Sequence, residues 1–384
     1  MTFLFRQHEP IEVLREEMKI LRSIGTAAIV AAIACSPAFA QSAGVSNQRD
    51  MQMNAASRQQ LIDAVIKEVN NSYVFPDMAK KVETSLRHQQ KRGFYDAIAS
   101  AQQLSEVLSD ELQAATKDRH LRVMYSEAVI AGRKSYDERS PEEAASYLAM
   151  MRSNNFGIDK VERLPFNIGY LELARFARAK EMAETLAAAM TLIAHTDALV
   201  IDLRNNRGGD AAAGLLLASY MFDKRTQLND FYYREGNRTE QRWTADVVPG
   251  LRYGGTKPVY ILTSKDTFSA AEDFTYALKN LKRATVVGET TGGGANQGGN
   301  KRLLPNFSLF VPLGRTISPV TKTNWEGVGV TPDISVCASD ALRTAQLAIL
   351  AKIASSENNP DELGRLNERI GQLGERTTGR ITCG

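Results

Sequence analysis

The chain has 384 residues, of which 43% are hydrophobic and 24% are charged, and its formal net charge is +3. These values are typical of a folded globular protein that is long enough for two domains. Basic residues do not form a stripe interleaved with aromatic residues, so the sequence gives no indication of nucleic-acid binding.

The first 40 residues predict an export signal. From Met18 the chain carries a short basic segment, an apolar core from Ile24 to Cys35, and then Ala38-Phe39-Ala40, which is typical of a signal-peptidase site. We therefore expect the true start at Met18, cleavage after Ala40, and a periplasmic or secreted product. The apolar core is too short to span a membrane permanently.

Removal of that segment would leave two cysteines, Cys337 and Cys383. An exported chain meets an oxidising compartment, where a disulfide between them could form and fix the C-terminal tail. Sequence does not supply the geometry that a disulfide needs, so two free thiols are the alternative.

The region before residue 165 is predicted to be mainly helical. Residues 41–56 are a polar linker, and residues 57–125 carry apolar side chains at helical spacing, as expected of a small helical domain. This domain ends in the turn Asp118-Arg119-His120-Leu121, which leads into a short strand. Residues 126–164 are rich in charge and form a linker with one helix, which begins at Ser140-Pro141.

Residues 165–336 alternate between apolar strands and helices, which predicts a layered α/β domain. The run Ala198–Leu203 is apolar without alternation, so it is expected to be buried on both faces of a sheet. Further strands are predicted over Ile168–Leu173 and Phe307–Val311. Residues 337–384 form two terminal helices and a tail.

The segment 257–291 is the candidate centre of this domain. Its apolar run Val259–Leu262 is followed by a turn, by Ser269 at the start of a helix, and by a second apolar run, Ala284–Val287. This is a strand–helix–strand unit with parallel strands, and it predicts that the Ser269 hydroxyl faces the crevice where open α/β sheets bind ligands. The alternative is a capping role, since Ser269 and Glu272 have the spacing of a capping box.

A serine nucleophile needs a base, and the chain offers four histidines. His8 precedes the expected start, His88 lies in a charged helix, and His195 lies in a helix-to-strand turn. His120 lies in a turn with Asp118 two residues before it, which makes it the candidate base. A surface or capping histidine is the alternative for this position.

Two glycine-containing segments could approach a ligand. Asn206-Arg207-Gly208-Gly209 follows a buried strand, and its N–H groups could complete an oxyanion hole with that of Ala270; an ordinary tight turn is the alternative. The segment 288–299 has neither the spacing nor the lysine of a phosphate-binding loop, so a substrate-lining role for Gly209 and Gly292-Gly293-Gly294 fits better. The sequence lacks Cys/His spacings typical of zinc sites, so no metal or other cofactor is predicted.

In combination, these motifs resemble peptidase family S41, the tail-specific or C-terminal-processing proteases. The resemblance covers residues from about 57 to 336 and rests on four stretches: Ile168–Leu173, Ala198–Gly209, Lys257–Gly294 and Asn324–Asp333. It is strongest to the branch that includes interphotoreceptor retinoid-binding protein and the tricorn core protease. The resemblance implies a crotonase/ClpP-like core of spiral ββα units, preceded by the helical domain.

The resemblance also implies roles for individual residues. Ser269 would be the nucleophile, and the oxyanion donors would be the N–H groups of Gly208 and Ala270. In the processing-protease branch the base is a lysine 25 positions after the serine, but this chain has Gly294 there. In the tricorn-like branch the base is a histidine, matched by His120, and a glutamate is matched by Glu326.

The expected activity is serine-type endopeptidase hydrolysis of exported proteins or peptides. One departure from the family pattern is Arg119, which replaces the serine that orients the histidine. The alternative function is a non-catalytic binding module for apolar small molecules such as retinoids or fatty acids, because family members use the same core in that way.

Overall fold

A computed structural model describes residues 49–132 and 140–375, and all structural statements concern these residues. Their helices are α1 (Ala55–Ser72), α2 (Pro76–Lys91), α3 (Ala101–Thr116), α4 (Pro141–Ser153), α5 (Ala179–Ile193), α6 (Ala211–Ser219), α7 (Ala270–Asn280), α8 (Ala341–Ala354) and α9 (Pro360–Gly374). Their strands are β1 (Arg122–Tyr125), β2 (Ile158–Leu164), β3 (Ile168–Leu173), β4 (Ala198–Asp202), β5 (Gln227–Tyr233), β6 (Arg238–Trp243), β7 (Val259–Thr263), β8 (Thr285–Gly288), β9 (Gly298–Leu304), β10 (Phe307–Pro312), β11 (Gly314–Ile317) and β12 (Ile334–Ser335).

A six-stranded sheet forms the centre of the fold, in the order β12-β8-β7-β4-β3-β2. All neighbours in it are parallel except β2, which runs antiparallel to β3. Every residue of β4 and β7 is buried, because helices α5, α6 and α7 cover one face and α8 and α9 cover the other. The carboxyl ends of β4 and β7 therefore meet at one edge of the sheet.

The N-terminal helices α1, α2 and α3 share a hydrophobic core with a smaller antiparallel sheet, β1-β10-β9. Leu61, Leu104 and Leu108 pack there with Phe307 and Leu309, although the two sets are about 200 positions apart in sequence. This shared core fixes β1, and with it the preceding turn at residues 117–121, against the later part of the chain. The remaining strands form a third sheet, in the order β11-β5-β6.

The predicted fold class is confirmed: the chain is an α/β protein with a helical N-terminal region and a mixed sheet. The strand–helix–strand unit β7-α7-β8 is parallel, as the sequence indicates. The segment 126–164 holds the predicted helix, α4, but its end also forms β2, an edge strand that the sequence analysis missed.

Several expectations concern residues outside the described ranges. The predicted export signal lies there as a whole. Cys337 is disulfide-bonded, but Cys35 and Cys383 both lie outside the described ranges, so the pairing with Cys383 stays a prediction. Within residues 49–132 and 140–375, none of the helices is both long and apolar enough to cross a bilayer.

Candidate active site

Ser269 lies where β7, after a short turn, leads into α7, and its backbone is strained. Its φ of 56° and ψ of −119° are unusual for a residue with a side chain. Such a conformation costs roughly 1–3 kcal/mol and persists only where neighbouring structure enforces it. Gly208 packs directly against Ser269. A Cβ at position 208 would lie only 2.8 Å from the Ser269 Cβ, so the absence of a side chain lets these two residues approach this closely.

Glu272 enforces this backbone from inside the protein. Its fully buried carboxylate accepts hydrogen bonds from the N–H groups of Ser269 (2.9 Å), Gly293 (2.7 Å) and Gly294 (2.8 Å). The Thr291 hydroxyl is a fourth donor. The sequence analysis recognised Glu272 only as half of a capping box, but the carboxylate also ties the glycine-rich loop to the backbone of Ser269.

His120 lies in the turn between α3 and β1, where Lys117 ends the helix with a φ of 61°. Its ring is buried against two aromatic rings, with centroid distances of 4.6 Å to Phe268 and 5.6 Å to Phe310. Burial, together with the charges of Arg122 and Arg119, lowers the pKa of His120 to about 3. The imidazole is therefore neutral at pH 7, and its protonation is disfavoured unless a nearby negative charge stabilises the imidazolium.

Two carboxyl groups lie close to the imidazole of His120. Nδ1 has no hydrogen-bond partner in the described part of the chain, and it lies 4.0 Å from the Asp118 carboxylate. Asp118 accepts hydrogen bonds from Tyr73 Oη (3.1 Å), from Asn296 Nδ2 (2.9 Å) and from the N–H of His120 (3.0 Å). Tyr73 and Asn296 are contacts that the sequence analysis did not find.

Glu326 is the second of these carboxyl groups. Its Oε2 accepts hydrogen bonds from the N–H groups of Ala295 (2.6 Å) and Asn296 (3.0 Å), whereas its buried Oε1 has no partner among residues 49–132 and 140–375. Burial, followed by the negative charge of Asp118, raises the pKa of Glu326. Asp118, His120 and Glu326 each offer one potential ligand atom within 4.8 Å of the others, so this group could hold a metal ion; the absence of a metal stays a prediction.

Gly294 leaves room for the imidazole of His120. A Cβ at position 294 would lie 2.7 Å from the His120 Cε1 and 2.3 Å from the Phe268 Cζ. The space into which any side chain at 294 would extend is thus filled by the imidazole and by Phe268.

One cleft of about 1100 Å³ collects most of the predicted site residues. Ser269, Ala270, Gly208, Gly209 and His120 all line it. Gly292, Gly293, Gly294 and Glu326 are not among its lining residues. Instead, the N–H groups of Gly293 and Gly294 donate hydrogen bonds to Glu272, and the Gly292 carbonyl accepts a 2.7 Å hydrogen bond from Arg119.

The two predicted oxyanion donors differ in their hydrogen bonds. Among the described residues, the Ala270 N–H has no acceptor, as is usual at the start of a helix. The Gly208 N–H already donates to the Asn206 Oδ1 at 2.8 Å. Gly208 would have to release this bond before it could bind an oxyanion.

Two family models match the chain. The model of peptidase family S41 matches residues 167–336, and a model described as the N-terminal domain of this family in eukaryotic interphotoreceptor retinoid-binding protein matches residues 51–158. Together they include the regions that contain Ser269, Glu326 and His120.

Curated relatives include carboxyl-terminal-processing peptidase 2 from Arabidopsis thaliana chloroplasts, 31% identical over 171 residues, which are 43% of this chain and 31% of that protein. The carboxyl-terminal-processing protease of Synechocystis is 32% identical over 129 residues, or 33% of this chain and 28% of that one. The matches thus span about a third of the length of these relatives. Among solved structures, a lipoprotein from Streptococcus agalactiae superposes with a TM-score of 0.51 at 15% identity, over 77% of this chain and 96% of the other.

Proposed function

Because the chain belongs to peptidase family S41, we propose that it is a serine-type endopeptidase that cleaves exported proteins or peptides. The observation that carries this proposal is the strained Ser269 backbone in the same cleft as the buried, neutral His120. Strain of this kind is retained at functional sites. An ordinary helix cap does not require it.

In the proposed reaction, Ser269 Oγ attacks a peptide carbonyl carbon while His120 accepts the hydroxyl proton. The Ala270 N–H stabilises the oxyanion of the tetrahedral intermediate, together with the Gly208 N–H once it leaves Asn206. His120 then gives its proton to the leaving amine, and water hydrolyses the acyl-enzyme with His120 again as base.

The imidazolium formed in this reaction needs a nearby negative charge, and we assign that role to the Asp118 carboxylate. Its carboxylate lies 4.0 Å from Nδ1 and is held by three donors, so it needs little reorganisation. Glu326, whose pKa is raised by burial and by the charge of Asp118, lies near the imidazole mainly as a neutral carboxyl group and is not a second counter-charge in this proposal. Arg119, which replaces the orienting serine of the tricorn-like branch, binds the Gly292 carbonyl and therefore does not perform that task.

Among the described residues, no hydrogen bond joins the Ser269 hydroxyl to His120 in this structure. Hydrogen bonds of catalytic groups are often long in free enzymes and tighten when the substrate binds. The proposal therefore requires that the two side chains approach each other when the substrate binds. Export through the predicted signal segment belongs to the same proposal.

The first test is labelling of the purified protein with a fluorescent fluorophosphonate. We expect labelling of the wild type and its loss in Ser269→Ala and His120→Ala, with unchanged circular dichroism. If the folded wild type stays unlabelled while a known serine hydrolase reacts, the peptidase proposal is wrong and a binding function takes its place. The arginine-lined cleft argues against a purely apolar ligand, since buried unpaired charges are costly.

A further inference from the structure

The walls of the cleft that contains Ser269 carry an excess of positive charge. Its basic lining residues are Arg119, Arg122, Arg175, Arg207, Arg242 and Lys265, whereas its acidic lining residues are Asp210 and Asp266. The chain as a whole has a formal net charge of only +3. The positive charge is therefore concentrated where a substrate would bind.

The two acidic residues of the cleft do little to offset this charge. Asp266 pairs with Arg207 at 2.8 Å. Asp210 instead accepts hydrogen bonds from two backbone groups, the N–H of Ala179 at 2.8 Å and that of Ala212 at 3.0 Å. Arg242 is paired with Asp273 at 3.6 Å, outside the cleft lining.

Three arginines of the cleft remain without a carboxylate partner among the described residues: Arg119, Arg122 and Arg175. Arg119 lies over the Phe268 ring at 5.4 Å, and Arg122 lies over the Phe310 ring at the same distance. Stacking on an aromatic face orients a guanidinium while it leaves in-plane N–H donors for a ligand. These two arginines flank the proposed base in sequence, and both line its cleft.

We propose that the cleft selects peptide segments with carboxylate groups close to the scissile bond. This inference rests on the proposed function and names its substrate class. A planar guanidinium binds a carboxylate through two parallel hydrogen bonds, which gives both affinity and orientation. A carboxylate beside Arg119 and Arg122 would also offset their repulsion of the imidazolium that forms on His120, so it would favour the reaction step as well as binding.

The test uses internally quenched peptides of equal length in which alternate positions carry Glu, Gln or Lys. We expect kcat/KM to be about fivefold higher for the Glu series than for the Gln series, with the Lys series lowest, since one ion pair at an exposed site contributes up to about this factor. Raising the salt concentration from about 20 to 500 mM should reduce the ratio, because it screens exposed charges. Equal rates for the Glu and Gln series would overturn the inference.

The carboxylate could come from acidic side chains or from the free C-terminus of a peptide. Gln peptides with free and amidated C-termini separate these sources. If the free acid is preferred while internal Glu has no effect, the arginines recognise a chain end and the inference about acidic segments is wrong. A preference for internal Glu that persists in amidated peptides supports it.

Neutral variants identify the groups responsible. We expect Arg122→Gln and Arg175→Gln each to lower the Glu-to-Gln ratio of kcat/KM about threefold or more. The matched control is Arg369→Gln, half-buried on α9 and outside the cleft lining, which should keep the wild-type ratio. A ratio that falls equally in the control would contradict the assignment to the cleft.

Binding to the Ser269→Ala variant keeps this inference separate from the proposed function. Anisotropy of labelled Glu and Gln peptides on this variant measures charge selection without catalysis. Tighter binding of Glu peptides without cleavage by the wild type would support charge selection and refute the peptidase proposal. Equal binding of both peptides, with cleavage by the wild type, would do the reverse.

Discussion

At the scale of single residues, the proposal that His120 is the base depends on the space left free by the absence of a side chain at position 294. Any side chain there would extend into the space of His120 and Phe268. A lysine at 294 and a histidine at 120 are therefore alternatives for one volume of the site. The family pattern identifies the missing lysine, and the structure shows that the space beside position 294 is occupied by His120.

We predict that Gly294→Ala lowers kcat/KM by at least tenfold and the free energy of unfolding by about 1–3 kcal/mol, as overpacking of a tight site does. The added methyl group would displace the imidazole or Phe268. Peptide hydrolysis and urea unfolding measure the two effects.

The matched control for this variant is Gly299→Ala, in β9, where an added Cβ meets no heavy atom within 4 Å. It should retain wild-type activity within about twofold. Full activity of Gly294→Ala would show that His120 is not held against this position during catalysis.

Glu272 leads to a second prediction for a single residue. In Glu272→Gln one carboxylate oxygen becomes an N–H₂ group, which cannot accept a hydrogen bond. The backbone N–H of either Ser269 or Gly293 would therefore lose its acceptor. We expect a loss of about 2–4 kcal/mol in unfolding free energy and a large fall in fluorophosphonate labelling. The exposed Glu184→Gln in α5 is the control and should change neither; unchanged labelling of Glu272→Gln would contradict an organising role.

At the scale of elements, strands with a continuous apolar pattern could be predicted from the sequence. β3, β4, β7, β8 and β10 were found within one or two residues of their ends. β5, β6, β9 and β11 were missed because their sequences lack a continuous run of aliphatic residues. They lie in small antiparallel sheets, where β6 and β9 also carry exposed residues. β6, for example, reads Arg238-Thr-Glu-Gln-Arg-Trp243, with four exposed residues.

The candidate site could be predicted only in part, for a related reason. Ser269 stands out locally, because a strand, a turn and a helix follow each other within a few residues. The link between Asp118 and Asn296 joins residues 178 positions apart, and it depends on the packing of α1–α3 against β10. No periodicity in either segment indicates that contact.

This packing predicts an effect of the N-terminal helices on catalysis. Tyr73, at the end of α1, donates a hydrogen bond to Asp118 from a fully buried position. Tyr73→Phe should cost about 1 kcal/mol in stability and reduce kcat more than it changes KM, since Asp118 loses one of its donors. Tyr125→Phe, which removes an exposed hydroxyl bond from β1 to Arg49, is the control; equal kinetics of both variants would argue against this coupling.

At the scale of the whole molecule, the free energy of unfolding should record the unusual protonation of the buried site. The pKa of His120 is lowered from 6.5 to about 3. Between these values the unfolded chain binds a proton that the folded protein does not, so His120 reduces stability as the pH falls from 6.5 toward 3. As the pH falls through this window, the unfolding free energy of the wild type should therefore decrease relative to that of His120→Gln.

Glu326 acts in the opposite direction. Burial, followed by the charge of Asp118, raises its pKa from 4.5 to about 8. Between these values the folded protein keeps a proton that the unfolded chain releases, so the contribution of Glu326 to stability falls as the pH rises from 4.5 to 8. Glu326→Gln mimics the protonated form and lacks this loss. We therefore predict that its urea midpoint is close to that of the wild type near pH 4.5 and exceeds it increasingly toward pH 8. A difference that stays constant over this range would mean that Glu326 is ionised in the folded protein, and that it meets the His120 imidazolium as a charged partner.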